Sequence, residues 1–215
     1  MKKIIFFVIS ILLITSLLIL VYTTSFNLNA FNENFYKKEF KKYDIYSKFP
    51  GKDIESINSE ILLYLKGKKE GYNTELFSQK EITHFADVKN IMQKISVFYY
   101  TSLISLILLI TALYLFDRKK FLKNLSKVLF LSGLSVLIIT PTLLAMITIN
   151  FDRFFEVFHY TTFPQGGWLF SSSDNIIKLY PLEFFYDIAK NILKSILFYG
   201  NILIGVGILL HIKND

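Results

Sequence analysis

Four long apolar runs divide the chain, and polar segments separate them. The runs cover residues 4–22, 95–116, 128–149 and 192–212. A helix needs about 20 consecutive apolar residues to cross a bilayer, so each run predicts a membrane span. The first run is longer than the roughly 7–15 apolar residues of a secretion signal. We therefore interpret it as a retained anchor rather than a cleaved signal peptide. Pro141 predicts a kink in the third span, because proline removes a backbone donor.

The loops between the runs carry unequal charge. Residues 117–127 hold five basic side chains and one acid, whereas residues 150–190 hold three basic and five acidic ones. Lysine and arginine collect in cytoplasmic loops, so both termini and the 117–127 loop are predicted to be cytoplasmic. The prediction is an all-α membrane protein of four transmembrane helices, forming a single membrane domain over residues 1–215. A helical extracytoplasmic segment, about 23–94, and a second outer segment, 150–190, share the other side.

Two helices are predicted early in the first outer segment. Residues 32–40 are a short helix candidate, and residues 53–66 carry aliphatic side chains on one helical face until Gly67 ends the pattern. The apolar face of the second helix either packs on a neighbour or lies on the membrane surface. The pattern does not choose between these two.

A third helix leads into the second span. Ser78 and Glu81 have the spacing of a capping box, which predicts a helix start at Gln79. His84 lies on the apolar stripe of this helix, and Asp87 follows one turn later, within reach of a hydrogen bond to the imidazole. A straight helix would lift His84 roughly 15 Å above the second span, because a helix rises ~1.5 Å per residue. We therefore expect this helix to tilt, break or lie along the interface.

The second outer segment opens on an aromatic stretch, residues 151–168. Amphipathic aromatic rings collect at the lipid–water boundary, so His159 is predicted at headgroup depth. Asp152, Glu156 and His159 recur at helical spacing, so an extension of the third span would carry an acidic face that ends at the histidine. The alternative is an aromatic belt that happens to contain a histidine. A turn is predicted before Trp168, and further helix starts near residues 175 and 181.

Composition supports the membrane class and narrows the chemistry. The chain is 53% hydrophobic and only 19% charged. It has no cysteine, which excludes disulfides, thiolate nucleophiles and iron–sulfur clusters. The net charge is +7, yet only two of the 24 basic residues are arginine. This excess of lysine over arginine argues against nucleic-acid readout and is compatible with attraction to anionic membrane lipid.

The sequence patterns argue against several other functions. The sequence has no Gly-x-Ser-x-Gly elbow, His-Glu-x-x-His pair or phosphate-binding glycine loop. A metal site at His84, Asp87 and His159 is conceivable, but two histidines make a poor ligand set. A small transporter would usually carry charge within its spans, and Lys194 is nearly alone there. A non-catalytic four-span partner of a membrane complex stays open as the alternative.

Two separated motifs now stand together with the four spans. The first is Phe77-Ser-x-x-Glu-Ile-x-His-x-x-Asp-Val-Lys89, and the second contains Phe151-Asp, Phe158-His159, Phe163, Trp168 and Pro181. Over nearly its whole length the chain resembles the lipoprotein intramolecular transacylases, four-span membrane proteins of low-GC Gram-positive bacteria. Methionine often follows the first histidine in that family, whereas Phe85 stands here. The change replaces one apolar side chain by another.

The resemblance implies an activity and a set of residues. The enzyme would move an acyl chain from the glycerol of a diacylglyceryl-cysteine lipoprotein to the α-amino group of the same cysteine, giving the lyso-form lipoprotein without a cofactor. The two family histidines correspond to His84 and His159. We hypothesise His84, oriented by Asp87, as the base and His159 as the oxyanion and leaving-group partner, with the reverse assignment almost as favourable.

Further roles are assigned around the two histidines. Asp152 and Glu156 would support them, Phe155, Phe163 and Trp168 would line an acyl groove, and Arg153 would hold a headgroup or peptide. The expected partners are diacylated bacterial lipoproteins and membrane lipid. The expected location is the bacterial cell membrane, with the site on the extracytoplasmic side.

Overall fold

A computed structural model describes residues 2–214, and its elements are helical. The α-helices are α1 (Lys2–Ala30), α2 (Glu33–Lys42), α3 (Ile54–Leu65), α4 (Gln79–Phe116), α5 (Phe121–Ile149), α6 (Phe151–Thr162), α7 (Asn175–Leu179) and α8 (Leu182–Ile212). Short 3₁₀ turns cover Tyr46–Lys48 and Arg118–Lys120. Four helices, α1, α4, α5 and α8, are long and apolar enough to cross a membrane. Each contains one predicted span, which confirms the all-α, four-helix architecture.

The described residues form two compact units. The first, here called the span unit, contains Ser96–Ala145 with the described residues before Leu28 and after Lys190. The second, here called the histidine unit, contains Leu28–Ile95 and Met146–Lys190.

The span unit combines an aliphatic cluster with very close backbone contacts. Leu13, Leu17, Leu113 and Val128 form a buried cluster. A Cβ placed on Gly133 would lie 2.5 Å from the Gly200 carbonyl oxygen, so α5 and α8 touch through their backbones there. Two pairs of hydroxyl groups add polar contacts. The Ser16 hydroxyl donates a hydrogen bond to the Ser105 hydroxyl over 3.1 Å, and the hydroxyls of Tyr22 and Thr140 are hydrogen-bonded over 3.0 Å. α5 continues through Pro141.

Aromatic rings that meet at tilted and edge-to-face angles form the core of the histidine unit. Tyr36, Phe40, Tyr180 and Phe184 are all buried, and the rings of Tyr36 and Phe184 lie 5.0 Å apart. The two tyrosine hydroxyls are satisfied inside this core. Tyr36 donates to the Ala30 carbonyl over 2.7 Å, and Tyr180 donates to Asn58 Oδ1 over 2.8 Å. These bonds allow polar atoms to be buried among rings without a lost hydrogen bond.

The structure contains both helices predicted early in the first outer segment, and it shows where the apolar face of the second one packs. Asn32 caps α2, and Asp53 caps α3 by accepting from the Ser56 amide over 3.0 Å, as Ser, Thr, Asp and Asn commonly do at helix starts. The apolar face of α3 is buried inside the histidine unit. It therefore packs on neighbouring elements rather than presenting that face to a membrane surface.

Of the three alternatives for the helix that carries His84, a break is excluded, because α4 is continuous from Gln79 to Phe116. A tilt or a course along the interface stays a prediction. The extension of the third span, in contrast, is a separate helix. Asn150 adopts an extended conformation (φ −155°, ψ 90°), and its side-chain oxygen accepts from the Arg153 amide over 2.9 Å. Asparagine is a strong N-cap, so it ends α5 and starts α6.

Candidate active site

The first turn of α4 is held by a buried carboxylate. Glu81 Oε2 accepts from the Ser78 amide over 2.7 Å and from its hydroxyl over 2.8 Å, which is the predicted capping box. Its other oxygen accepts from the Ile176 amide over 2.6 Å. Glu81 lies about one turn before His84, and its hydrogen bonds connect the start of α4 to the first turn of α7.

His159 has a defined orientation on α6. Its Nδ1 lies 2.8 Å from the carbonyl oxygen of Phe155, one turn earlier. A carbonyl oxygen only accepts, so Nδ1 carries the hydrogen and donates it. The neutral ring then presents Nε2 as a lone-pair acceptor.

The two imidazoles lie together within the histidine unit. Their ring centroids are 6.2 Å apart and their planes differ by 27°. Both residues are buried, with 7% of His84 and 8% of His159 exposed. Phe163 packs on both, 5.1 Å from the His84 ring and 5.6 Å from the His159 ring. Residues 75 positions apart in the chain thus form one site.

Aromatic side chains surround the pair. The rings nearest His159 belong to Phe155 at 4.1 Å, Trp168 at 5.0 Å and Phe158 at 5.3 Å. His84 also contacts Phe170, at 5.4 Å. The predicted apolar set of Phe155, Phe163 and Trp168 is therefore assembled at the histidines, and Phe170 is an addition to it.

Burial keeps both imidazoles neutral near pH 7. Burial lowers the pKa of His84 from its ordinary value of 6.5 to about 4, and the neighbouring His159 adds to that effect, while the charge of Asp87 opposes it. Burial also lowers the pKa of His159, against the opposing effect of its bond to the Phe155 carbonyl. His84 Nδ1 is buried and has no hydrogen-bond partner among residues 2–214.

The charged residues predicted to support the site make fewer contacts with the imidazoles than the aromatic residues do. Asp87 is half-buried, and His84 Nδ1 does not donate a hydrogen bond to it. The charge of Asp87 raises the pKa of the His84 imidazole. Asp152 and Arg153 are exposed on α6. Arg153 Nη1 donates to Glu156 over 2.7 Å, so these two residues bind each other. The hydrogen bonds of the described part of the chain do not join Asp152 or Glu156 to either imidazole.

Two residues at the site, Lys80 and Phe170, were not predicted from the sequence. Lys80 donates to the carbonyl of Leu169, and its Nζ lies 4.8 Å from the ring centroid of Phe170. It holds the segment after the glycine turn, in which Gly166 and Gly167 have φ of +79° and +84°. Both contributors had a local signal, since Lys80 is one turn before His84 and Phe170 closely follows Trp168. Among residues 2–214, no group of three His, Cys, Asp or Glu side chains is placed to hold a metal ion.

The fold and the site define a multi-pass helical membrane protein whose candidate active site is a buried pair of neutral histidines in an aromatic enclosure. A sequence model of the lipoprotein intramolecular transacylase Lit matches residues 10–185. The chain belongs to this family.

Solved structures with the same fold are of the membrane-integral lipoprotein intramolecular transacylase Lit from Bacillus cereus. One is 24% identical with a TM-score of 0.85, and 98% of each chain is covered. Two structures of histidine variants of that protein have TM-scores of 0.80 and 0.79 at 22% and 23% identity, covering 99% of this chain and 94% and 96% of theirs. An uncharacterised protein of Aquifex aeolicus (strain VF5) is 25% identical over 192 residues, 84% of each chain.

Proposed function

We propose that this protein transfers an acyl chain within a diacylglyceryl-cysteine lipoprotein, from a glyceryl ester to the α-amino group of the same cysteine. The product is a lyso-form lipoprotein, N-acylated and S-monoacylated. The observation that carries the proposal is the His84–His159 pair, 6.2 Å apart and enclosed by aromatic rings. Membership of the transacylase family supports the reaction type.

Both reacting groups belong to one substrate molecule. No acyl carrier is required, and replacing an ester by an amide runs downhill without nucleotide hydrolysis. The protein has to hold amine and carbonyl at near-attack distance, which can lower the barrier by ~7–11 kcal/mol. The apolar rings of Phe155, Phe163, Trp168 and Phe170 suit the acyl chain, because they provide a dry wall beside the imidazoles.

The geometry favours His159 as the base, which reverses the assignment first preferred from the sequence. Its Nδ1 proton is committed to the Phe155 carbonyl, so Nε2 is free to accept a proton from the attacking amine. His84 has no orienting bond at Nδ1, and its pKa is lowered to about 4, which makes it the weaker base. A neutral His84 with its proton on Nε2 is suited to donate to the oxyanion.

The proposed steps balance in atoms and charge. The neutral α-amine attacks the ester carbonyl, a C–N bond forms, and the carbonyl oxygen becomes an oxyanion that accepts from His84. His159 Nε2 takes one proton from the nitrogen and becomes imidazolium. As the C–O bond to glycerol breaks, His159 returns that proton to the departing oxygen. The amide, a free glycerol hydroxyl and neutral His159 result.

The charged residues near the imidazoles, on α6 and α4, have secondary roles in this mechanism. Arg153 is available on the surface of α6 for a headgroup or a peptide, which it would bind in competition with Glu156. Asp152 and Asp87 contribute negative potential that favours the transient imidazolium. The distribution of basic residues further supports cytoplasmic termini and an extracytoplasmic site in the bacterial cell membrane.

The test uses the full chain in vesicles with a synthetic diacylglyceryl-cysteine lipopeptide that carries a free α-amine. Mass spectrometry of the lipopeptide should show the acyl group moved to nitrogen with no change in total mass. An N-acetylated lipopeptide should not react, and a chelator should have no effect.

The matched variants are His84→Ala, His159→Ala and, as the control, His211→Ala. We expect the first two to lose the product and the third to keep it. An unchanged acylation pattern with the intact protein would refute the proposal and favour a non-catalytic partner. Loss of activity on chelation would instead favour a metal site.

A further inference from the structure

A groove of about 310 Å³ lies in the span unit, near the N-terminal end of α5 and the C-terminal end of α8. Its lining residues are Ser126, Lys127, Phe130, Gly207, Ile208 and His211. The lining is apolar apart from a cationic and hydroxyl-bearing edge. The proposed catalytic chemistry uses none of these residues.

A close backbone contact between α5 and α8 lies at one side of the groove. A Cβ on Gly207 would lie 2.8 Å from the Phe130 amide nitrogen and 3.0 Å from the Ser126 carbonyl oxygen, so a larger residue would push α5 and α8 apart. Beside this contact, Phe130 and Ile208 keep 38% and 44% of their surface exposed. The groove therefore combines a close helix–helix contact at Gly207 with the partly exposed apolar side chains of Phe130 and Ile208.

The edge of the groove is positively charged. Lys127 is exposed there, and His211 lines the same edge. The turn that precedes α5 carries Arg118, Lys119 and Lys120, and the first turn of α5 carries Lys123, against the single acid Asp117. The Ser126 hydroxyl donates to the Lys123 carbonyl over 2.8 Å, so it does not offer its proton to a ligand. Among the residues that line the groove, Lys127 is the lysine that a headgroup can contact.

We propose that this groove binds an anionic phospholipid, with an acyl chain along Phe130 and Ile208 and the phosphate at Lys127. A volume of about 310 Å³ is at the lower end for small-molecule sites, which fits part of a lipid rather than a partner helix. Basic pockets between transmembrane helices on the cytoplasmic side are suited to acidic headgroups. The charge distribution places this turn on that side.

Native mass spectrometry of the full chain in detergent tests the proposal. The protein is incubated with phosphatidylglycerol or with phosphatidylcholine of the same acyl chains, and retained lipid is counted. We expect preferential retention of phosphatidylglycerol. Lys127→Ala should weaken it about fivefold, the effect expected of one lysine at an anionic lipid surface. Lys194→Ala is the matched control, since Lys194 is an exposed lysine of α8 that does not line the groove.

A second variant separates the groove from general surface attraction. Ile208→Trp fills the apolar wall without changing charge, and it should reduce retention of phosphatidylglycerol while Lys127 is intact. Equal retention of the two lipids, or equal loss in Lys127→Ala and Lys194→Ala, would overturn the proposal. Full retention by Ile208→Trp would overturn the seating of the acyl chain.

Discussion

The two units of this protein are packed by different means. In the span unit, backbones meet where side chains are absent, as at Gly133 against Gly200 and at Gly207 against Phe130. In the histidine unit, large rings pack together, as in the contact of Tyr36 with Phe184, and the hydroxyls of Tyr36 and Tyr180 donate hydrogen bonds there. Close backbone contacts at glycines are thus prominent in one unit and contacts between aromatic rings in the other.

The difference follows from what drives each kind of contact. Lipid tails are as apolar as leucine, so transmembrane helices gain mainly from close van der Waals approach and from interhelical polar bonds. Segments outside the apolar runs gain from removing large apolar surfaces from water, and aromatic rings carry most area per residue. In the histidine unit His84 Nδ1, the Tyr72 hydroxyl and Glu39 Oε2 are buried without a hydrogen-bond partner among residues 2–214. A buried polar atom without a partner has a cost in stability, and at His84 that atom belongs to the imidazole pair.

The largest expected effect distinguishes the two histidines. We expect His159→Gln to slow acyl transfer by ~10²–10⁴-fold, the usual contribution of a general base. His84→Gln keeps an N–H donor for the oxyanion, so we expect it to retain much more activity than His84→Ala. The measurement is the rate of N-acylation of the lipopeptide. Greater loss in His84→Gln than in His159→Gln would restore the opposite assignment.

The next prediction concerns pH and the stability of the histidine unit. In the unfolded chain His84 binds a proton below about pH 6.5, whereas in the folded protein it binds one only near pH 4. Between these values the unfolded state holds more protons, so stability falls as the pH falls. A shift of this size corresponds to about 3 kcal/mol.

The fluorescence of Trp168, the only tryptophan, reports unfolding of this unit directly. We expect the wild-type midpoint to fall more steeply than that of His84→Gln when the pH is lowered from 7 to 4. Parallel curves for the two proteins would mean that His84 is not held neutral by burial.

A glycine substitution tests the span unit. Gly133→Ala should destabilise it by about 1–3 kcal/mol, because the new Cβ meets the Gly200 carbonyl oxygen at 2.5 Å and overpacking has a cost of this order. Gly205→Ala is the matched control, since a Cβ there meets no atom within 4 Å. Thermal unfolding followed by far-ultraviolet circular dichroism should separate the two. Equal midpoints would show that the α5–α8 contact relaxes easily.

Glu81 offers a smaller test within the histidine unit. Glu81→Gln places an amide where a carboxylate accepts from the Ser78 amide and hydroxyl, so we expect a loss of about 1 kcal/mol. Glu183→Gln is the control, because Glu183 is an exposed acid in the first turn of α8. Thermal midpoints read by Trp168 fluorescence decide the result. A loss shared by both variants would point to helix dipole effects alone.

The smallest expected effect is that of Asp87→Asn. Asp87 acts on His84 through charge rather than a hydrogen bond to its Nδ1, so we expect the rate of acyl transfer to change by less than about threefold. The same lipopeptide assay measures it. A loss comparable to that of His84→Ala would mean that Asp87 orients the imidazole during the reaction.

Much of the architecture could be predicted because its signals are local. The four spans follow from uninterrupted apolar runs, and the starts of α3 and α4 follow from Asp53 and from the Ser78–Glu81 box. The separation of α5 from α6 was missed although Asn150 is a good N-cap. The apolar continuity of the chain hid that boundary, since hydropathy does not respond to a change of helix axis.

By itself the sequence determined the candidate residues: two histidines within motifs that resemble a transacylase family, beside aromatic residues. Only the tertiary structure decided how they work together. It brings together two imidazoles that are 75 positions apart, packs Phe163 against both, and buries both residues. The physical reason is that a proton's location and an imidazole's pKa depend on burial and on the nearest acceptor. Neither is a property of spacing along the chain.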